Sequence, residues 1–535
     1  MSDRPNRLQA RRQDGEPIDI WIIGGGVASL AAAVFLIKDA NVLPTHIHIF
    51  DVHPALGGGL TRYGDPEKGY VLHPGQTISY HDSCVEKLLL QVPSTHPGPT
   101  PWDKQLVQKG EDRRHARRLT RAIAVGPSGP ERLDSQRLGL NLQDRLGLIR
   151  IMLENEQALS GKRIWELFDG DFFNTKFWMI WSTTFTFTPH HSAVEFRRYL
   201  RKYLHDLGNG GKLSGPDEIR NSQYESIIRP VSKYLQEEGV DFRLGEQVVD
   251  VLTYPDSDPT TVSEIKFQGE DGSEKMVTLD PCDLVFVALG SIGSGSVMGN
   301  NDAAPGQPSV KTSANEWSLW DKLAGRSIKF GNPSNFCTNP AYSTVGKFTV
   351  TLYDPEFFDL IAETTGLAPG SQPVLSLPRS NWDISLNIPL QPVISSQPDT
   401  VKVFSGWALH PEKNGNHIKK PMMQCSGAEV LQEILKHLNF PDTILSHAVT
   451  IPCISPLATS ALLPRSHNER PEIIPRDTTN LALLGQFVEI PDEPSLTMEY
   501  SVQSAQLAVD HFMGVKKEIR RSWRNHFVEM LDLLT

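Results

Sequence analysis

Residues 19–51 decide the fold, and they read DIWIIGGGVASLAAAVFLIKDANVLPTHIHIFD. The apolar run Ile20–Ile23 ends at three glycines, and small and apolar helix formers follow. A second apolar run then ends in Asp51. A strand, a glycine turn, a helix and an acid-terminated strand in this order are typical of a dinucleotide-binding βαβ unit. The stretch therefore predicts an α/β protein with a Rossmann-like domain.

The glycines and the acid of this unit each have a predicted contact with a dinucleotide. Glycine permits the tight turn and the approach of the backbone to a pyrophosphate at the helix N-terminus, and the carboxylate accepts from a ribose hydroxyl. A second cluster, Gly57-Gly58-Gly59, follows Asp51 closely. A glycine cluster at this place is typical of FAD-binding chains, so we predict FAD rather than NAD. The predicted cofactor contacts in this unit are Gly24, Gly26, Ser29, Asp51, Gly58 and Gly59.

The composition narrows the class of protein. The 535 residues are 39% hydrophobic and 21% charged, and the net charge of −11 argues against nucleic acid as a general partner. The five cysteines are scattered without a CxxC pair, so neither a zinc site nor a disulfide framework is predicted. The N-terminal residues lack the apolar core of a signal peptide, and no apolar run reaches the length of a spanning helix. We expect a cytoplasmic protein.

The pattern along the chain predicts a Rossmann-like FAD-binding domain with an inserted α+β substrate domain and a C-terminal helical segment. The predicted divisions are a disordered lead-in (1–17), three parts of the FAD-binding domain (18–95, 228–310 and 441–513), an aromatic helical segment of the substrate domain (96–227), the substrate domain proper (311–440) and a C-terminal amphipathic helix (514–535).

Two later stretches are predicted to return to the nucleotide-binding sheet. Residues 283–290, DLVFVALG, form an apolar run that ends in glycine. Residues 478–491, TTNLALLGQFVEIP, predict a strand followed by a turn at Gly485-Gln486, and a predicted helix from Tyr500 to Met513 comes after them. Chains with the N-terminal FAD pattern often place this turn beside the flavin, so Gly485, Gln486 and Phe487 are predicted cofactor contacts.

The most aromatic part of the chain lies in residues 171–187, DFFNTKFWMIWSTTFTF. Two interpretations remain open: a packed domain interface, or the wall of an apolar ligand cavity. Under the second, Trp178, Trp181 and Phe185 are predicted substrate contacts.

Residues 516–535 combine basic residues with apolar residues at helical spacing. Such a helix can lie on an anionic membrane surface, dock on the protein's own body or form a dimer contact. Peripheral membrane contact and a homodimer therefore both stay open.

Several stretches together resemble the oleate hydratases, also called the myosin-cross-reactive antigen family. They include GGGVASLAAAVFLIKDA, HSAVEFRRY, ALGSIGSGSVMGNNDAAP and LALLGQFVEIPDEPSLTMEYSVQSAQ, and they span almost the whole chain. The resemblance implies an FAD-containing enzyme that adds water across a cis double bond of an unsaturated fatty acid, without net redox change. It also implies that Tyr199, in the RRY segment, is the proton donor.

The chain departs from the family at two motifs. The family's RGGREME loop corresponds to residues 73–79, where only Gly75 keeps the loop's character and Thr77 replaces the expected glutamate base. A threonine hydroxyl can orient water but cannot accept its proton at neutral pH. Gly75 stays a predicted cofactor contact and Thr77 a predicted catalytic residue.

The family's TxNxxxH pattern, which resembles a carboxylate clamp, becomes Asn387, Pro389 and Val393. Only Asn387 can hydrogen-bond a carboxylate through its side chain, so it is the predicted substrate contact.

Three hypotheses follow from both departures. The chain is a divergent fatty-acid hydratase, a flavoenzyme that isomerises, cyclises or oxidises another apolar substrate such as an isoprenoid or polyketide, or a non-catalytic FAD- or lipid-binding protein at membranes.

Overall fold

The computed structural model describes residues 17–58, 63–72, 84–93, 121–126, 129–132, 138–204, 223–255, 260–269, 271–308, 310–366, 374–394 and 396–515. Its strands are β1 (Ile20–Ile23), β2 (Ile47–Asp51), β3 (Tyr63–Asp65), β4 (Gly69–Val71), β5 (Arg121–Gly126), β6 (Gly129–Arg132), β7 (Asp241–Leu244), β8 (Gln247–Thr253), β9 (Val262–Gln268), β10 (Glu274–Thr278), β11 (Leu284–Ala288), β12 (Val297–Met298), β13 (Val345–Leu352), β14 (Leu375–Leu377), β15 (Ile384–Asn387), β16 (Lys402–Ala408), β17 (Ala448–Ser455) and β18 (Leu481–Leu484).

The α-helices within the same residues are α1 (Val27–Lys38), α2 (Cys84–Gln91), α3 (Leu142–Leu153), α4 (Glu156–Leu159), α5 (Lys176–Phe185), α6 (Ala193–Tyr203), α7 (Arg229–Glu238), α8 (Val310–Arg326), α9 (Ser334–Cys337), α10 (Glu356–Thr365), α11 (Gly427–Leu438) and α12 (Met498–Met513).

A five-stranded parallel sheet, in the order β18-β11-β1-β2-β7, carries the nucleotide-binding unit. Strand β1 lies between β11 and β2, with Ile20 opposite both Leu284 and Ile47. Helix α1 is apolar along its length because it packs against α12 as well as against the sheet, and its residues 28–36 are all buried. The predicted Rossmann-like fold is confirmed, and β11 and β18 both return to the sheet as expected.

A second, eight-stranded sheet has the order β12-β17-β13-β16-β15-β14-β5-β6. One of its faces packs against α10 and α11 in an apolar core of its own. Strand β4 crosses the other face, where the amides of Tyr70 and Leu72 donate to the hydroxyls of Thr351 and Thr349, each at 2.9 Å. Antiparallel strands β8, β9 and β10 form a third sheet.

The eight-stranded sheet draws on residues from both sides of the predicted domain boundaries. Strand β17 lies beyond residue 440, and β5 and β6 come from the segment predicted to be helical. The division into domains stays a prediction, as do the lead-in and the C-terminal helix, since 1–16 and 516–535 lie outside the described residues. Among the helices of the described chain, none is both long and apolar enough to cross a membrane.

Candidate functional site

The glycine turn after β1 is held by the end of β2. The amide of Gly24 donates to the carbonyl of Phe50 at 2.8 Å, and that of Gly57 donates to the carbonyl of Gly25 at 2.9 Å. The amide of Gly25 donates to the carboxylate of Asp51. The turn, the strand end and the second glycine cluster therefore form one unit at the carboxyl edge of the parallel sheet, where α/β proteins bind their ligands.

Three glycines, Gly24, Gly26 and Gly58, form what we call the glycine cradle. Gly24 has a φ of +99°, which disfavours any other residue. Gly26 caps α1 without a side-chain hydrogen bond, and a Cβ added to it would meet no atom of the described residues within 4 Å. A Cβ on Gly58 would lie 3.5 Å from the Cα of Gly26. The cradle therefore presents bare backbone and a helix N-terminus to open space, as an approaching pyrophosphate requires.

The predicted ribose acceptor, Asp51, is 8% exposed and already bonds to the backbone. Its Oδ1 accepts from the amide of His53 at 2.7 Å, while its Oδ2 accepts from Gly25. Burial raises the pKa of the Asp51 carboxyl, and the two backbone hydrogen bonds act in the opposite direction. Each carboxylate oxygen has a second lone pair, so a ribose hydroxyl can still donate to it.

Two polar groups near the cradle lack a partner among the described residues. They are the buried hydroxyl of Ser29 on α1 and the Nε2 of Gln486, just after β18. Gly485 has a φ of +98°, and its amide donates to the Ser504 hydroxyl at 2.9 Å. Phe487, the last predicted contact of this turn, packs into an aromatic cluster. Its ring centroid lies 4.8 Å from that of Trp317.

The residues present fit FAD. The cradle offers bare glycine backbone, and Ser29 and Gln486 offer unpartnered hydrogen-bonding groups. Buried polar groups are normally satisfied, so such atoms point to a bound polar group. Gly59 and Gly75, two further predicted contacts, lie outside the described residues. The described part of the chain contains no group of three His, Cys, Asp or Glu side chains that could hold a metal ion.

A Gly26→Val variant is expected to weaken FAD binding about 10- to 100-fold, since overpacking a close contact typically costs ~1–3 kcal/mol. The melting temperature of the FAD-free protein should fall by no more than a few degrees, because valine is a poorer N-cap than glycine but no described atom lies within 4 Å of the new Cβ. Gly306→Val is the matched control: it also has open space around its Cβ but lies in a loop elsewhere. Flavin fluorescence titration measures both affinities, and equal affinity in the two variants would contradict the cradle assignment.

The aromatic residues of α5 pack against α6. Trp181 stacks on Phe177 with 5.4 Å between ring centroids, and Phe185 meets Tyr199 edge-on at 5.2 Å. Trp178, Trp181 and Phe185 are all buried in the same apolar cluster as Tyr199. The indole Nε1 of Trp181 has no hydrogen-bond partner in the described chain. The structure thus brings the three predicted substrate contacts to the predicted proton donor, within a packed aromatic layer.

Tyr199 is 1% exposed, and aromatic rings surround it. Phe187 lies at 5.0 Å and Tyr203 at 5.7 Å between ring centroids. Burial raises the pKa of the Tyr199 phenol well above its ordinary value; the electrostatic effects of Tyr203 and Glu195 add to this, and a backbone hydrogen bond with Leu496 opposes it. The phenol therefore stays protonated at neutral pH and can act as an acid.

A buried ionic cluster beside Tyr199 was not predicted from the sequence. The carboxylate of Glu195 lies 2.8 Å from Arg465 Nη1 and 3.4 Å from Arg470 Nη1, and the Ser495 hydroxyl donates to it at 2.9 Å. Arg198 bonds to Glu489. The members of this cluster are Glu195, Arg198, Arg465, Arg470 and Glu489. The only sequence signal was the charged pattern of α6.

Asn387 lies apart from this aromatic layer, at the end of β15 in the eight-stranded sheet. Its Oδ1 is buried and unpartnered among the described residues. Val393, which replaces a polar residue of the family motif, is buried in a small apolar cluster with Tyr70 and Leu72. Thr77, the predicted water-orienting residue, lies outside the described residues.

A family model and two named relatives each match most of the chain. The model of the MCRA family matches residues 18–510. The chain is 31% identical to a protein of Streptococcus pyogenes named oleate hydratase, over 95% of this chain and 87% of the relative. It is 30% identical to a protein of Lactiplantibacillus plantarum named linoleate hydratase, over 92% of this chain and 93% of the relative.

Among solved structures, cyclohexylamine oxidase of Brevibacterium oxydans matches with a TM-score of 0.53 at 12% identity, over 93% of this chain and 99% of that one. An oxidoreductase of Methanosarcina mazei matches with a TM-score of 0.50 at 12% identity, over 92% of this chain and 100% of that one. Identities this low show a shared fold alone. The family model and the two relatives show more: this chain is a member of the MCRA family.

Proposed function

We propose that this chain is an FAD-binding hydratase that adds water across a cis double bond of an unsaturated fatty acid. The observation that carries the proposal is its similarity, over more than nine-tenths of its length, to two relatives named oleate hydratase and linoleate hydratase. The glycine cradle supports FAD as the cofactor. When bound, FAD would supply structural and electrostatic support to the site, with no net redox change.

In this proposal Tyr199 protonates the alkene. The phenol gives its proton to one carbon of the double bond, and water oxygen forms a bond to the other carbon. The proton that the water loses returns to the tyrosine oxygen, so the atoms balance and the acid is regenerated. The position of the phenol among aromatic rings supports the first step, because the phenol is protonated at neutral pH and lies where bulk water is excluded. The Thr77 hydroxyl would orient the water.

A second candidate is a flavoenzyme that isomerises, cyclises or oxidises another apolar substrate. The observation that favours it is the loss of the family's glutamate base at Thr77 and of the polar clamp residues at Pro389 and Val393. Val393 is buried among apolar side chains, so no polar group replaces the lost one at that position.

Isotope incorporation separates the two candidates. FAD-loaded protein, reduced with dithionite, is incubated with oleic and with linoleic acid in deuterated water, and the products are read by mass spectrometry. Hydration is expected to give a hydroxy acid with one carbon-bound deuterium. Absence of turnover by protein with a full complement of FAD would overturn the hydratase proposal. Bleaching of the oxidised flavin by an apolar substrate without oxygen would favour the second candidate.

A further inference from the structure

One face of the eight-stranded sheet carries a row of polar side chains across its central strands. Ser376 lies opposite Ser385, Ser385 opposite Trp407, and Trp407 opposite Lys347. Directly opposite residues point to the same side of a sheet, so these four side chains are neighbours. We call them the polar row. Their strand neighbours on the other face, such as Phe348 and Leu386, belong to the apolar core.

Two members of the polar row are buried, Lys347 and Trp407 are partly buried, and the hydrogen bonds of the row are incomplete among the described residues. Ser376 is 1% exposed and Ser385 0%, and neither hydroxyl has a partner among the described residues. The same holds for the indole Nε1 of Trp407. It holds also for Oδ1 of Asn387, which lies two residues beyond Ser385 and so on the same face. Buried polar atoms without partners are rare, so several side by side indicate a place for a polar ligand.

The positive charge of the polar row favours an anionic ligand. Lys347 is its one charged member, and the electrostatic effect on its ammonium from the described residues comes from Cys453 rather than from a carboxylate. The residue opposite it on the next strand is Cys453. Burial lowers the pKa of the Lys347 ammonium, as expected for a cation without a counter-charge. An ammonium, an indole N–H and two hydroxyls all donate hydrogen bonds, and the row has no carboxylate. A carboxylate is the chemical group that satisfies such a set.

We propose that Lys347, Trp407 and Ser385 bind the carboxylate of the acyl substrate, with the Ser376 hydroxyl at the edge of the site. Neighbouring strands lie about 4.8 Å apart, so Lys347 and Ser385 are about 10 Å apart at the backbone, a gap that long lysine and tryptophan side chains span. This site deepens the hydratase proposal and rests on it for the acyl nature of the ligand. It replaces the polar groups lost at Pro389 and Val393.

The test compares the binding of palmitic acid and 1-hexadecanol to the FAD-loaded protein by calorimetry. Both ligands have the same chain length and no double bond, so binding is measured without turnover. We expect palmitate to bind about 10- to 100-fold more tightly than the alcohol, as hydrogen bonds to charged groups typically allow. Lys347→Met should remove most of this difference and leave the affinity for hexadecanol unchanged. Trp407→Phe should weaken palmitate binding about 2- to 10-fold.

Lys402→Met is the matched control. Its ammonium donates to the carbonyl of Asp399 at 2.9 Å, at the far end of β16 from Trp407, so neither affinity should change. Lys347→Met replaces a partly buried cation, which no described carboxylate pairs with, by an apolar side chain of similar size, so the melting temperature of the variant should stay the same or rise. If the melting temperature falls, Trp407→Phe carries the test, because it keeps an aromatic ring and the charge of Lys347 while it removes the indole N–H together with the second ring.

Equal affinity of the wild type for palmitate and hexadecanol would overturn the carboxylate site. So would unchanged palmitate binding in a well-folded Lys347→Met variant. These results are distinguishable from failure of the hydratase proposal. Palmitate binding that depends on Lys347, without hydration of oleic acid, would support the site and overturn the reaction. Hydration of oleic acid, together with palmitate binding that does not depend on Lys347, would support the reaction and overturn the site.

Discussion

A Tyr199→Phe variant is expected to hydrate oleic acid about 10²- to 10⁴-fold more slowly than the wild type, the range in which positioned general acids contribute. The substitution removes the phenol proton and keeps the ring that packs against Phe185 and Phe187. The packed aromatic layer around residue 199 and the glycine cradle should therefore be unaffected. Product formation followed by mass spectrometry gives the rate, and flavin absorbance checks that the variant binds FAD normally.

Tyr203→Phe is the matched control for this variant. Tyr203 lies one turn further along α6, is also buried and packs against the same Phe185 ring at 5.0 Å. Because Tyr203 has no role in the proposed reaction, its loss should change the rate by less than about 10-fold, the scale of one neutral hydrogen bond. Equal rates in the two variants would contradict the assignment of Tyr199 as the acid.

The raised pKa of Tyr199 also predicts how the stability of the folded protein depends on pH. Burial raises this pKa well above the ordinary value, with Tyr203 and Glu195 contributing in the same direction. A raised pKa in the folded protein contributes stability that is present below the unfolded pKa of about 10 and is lost as the pH rises beyond it. Because the phenol also keeps its proton below that pH, any loss of activity there has to come from the titration of another group.

The nucleotide-binding half of the fold was predictable because its signals are local. Residues 19–51 contain the strand, the turn, the helix and the acid in one continuous stretch, and the structure places them as expected. The eight-stranded sheet was not predictable to the same extent. Its strands pair across long separations, as β5 does with β14, and hydrophobic patterning does not specify which distant strands become neighbours.

The same distinction holds for the candidate site. Gly24 and Gly485 both have positive φ angles, and glycine is the residue that adopts them without strain, so their positions are visible in the sequence. The polar row depends on the register of four strands and has no local signal. Lys347 and Ser385 look like ordinary polar residues of exposed strands until the sheet places both of them next to Trp407, one on each side.

The buried ionic cluster joins α6 to segments nearly three hundred residues later, and it gives the largest expected effect on stability. A Glu195→Gln variant is expected to lose about 3–5 kcal/mol, because breaking a buried ion pair on one side leaves charge uncompensated. Arg465 and Arg470 would both lose their nearest carboxylate. Glutamine keeps the size of the side chain and can still accept from Ser495, so the loss reports the charge itself.

Glu237→Gln is the matched control, because Glu237 forms a surface pair with Lys233 and its side chain is 66% exposed. Such pairs contribute about 0–1 kcal/mol, so the control should unfold within a degree or two of the wild type. The pH dependence identifies the mechanism. Burial opposes ionisation of Glu195, but Arg465, Arg198 and Arg470 outweigh it, and its pKa is lowered.

A lowered carboxyl pKa contributes stability that is present above the unfolded value of about 4.5 and is lost as the pH falls through the folded value. The difference in melting temperature between the wild type and Glu195→Gln should therefore be full at pH 7 and shrink in acid. A difference that stays constant from pH 7 to pH 3 would mean that the shape and hydrogen bonds of Glu195, rather than its charge, hold α6 and Tyr199 in place.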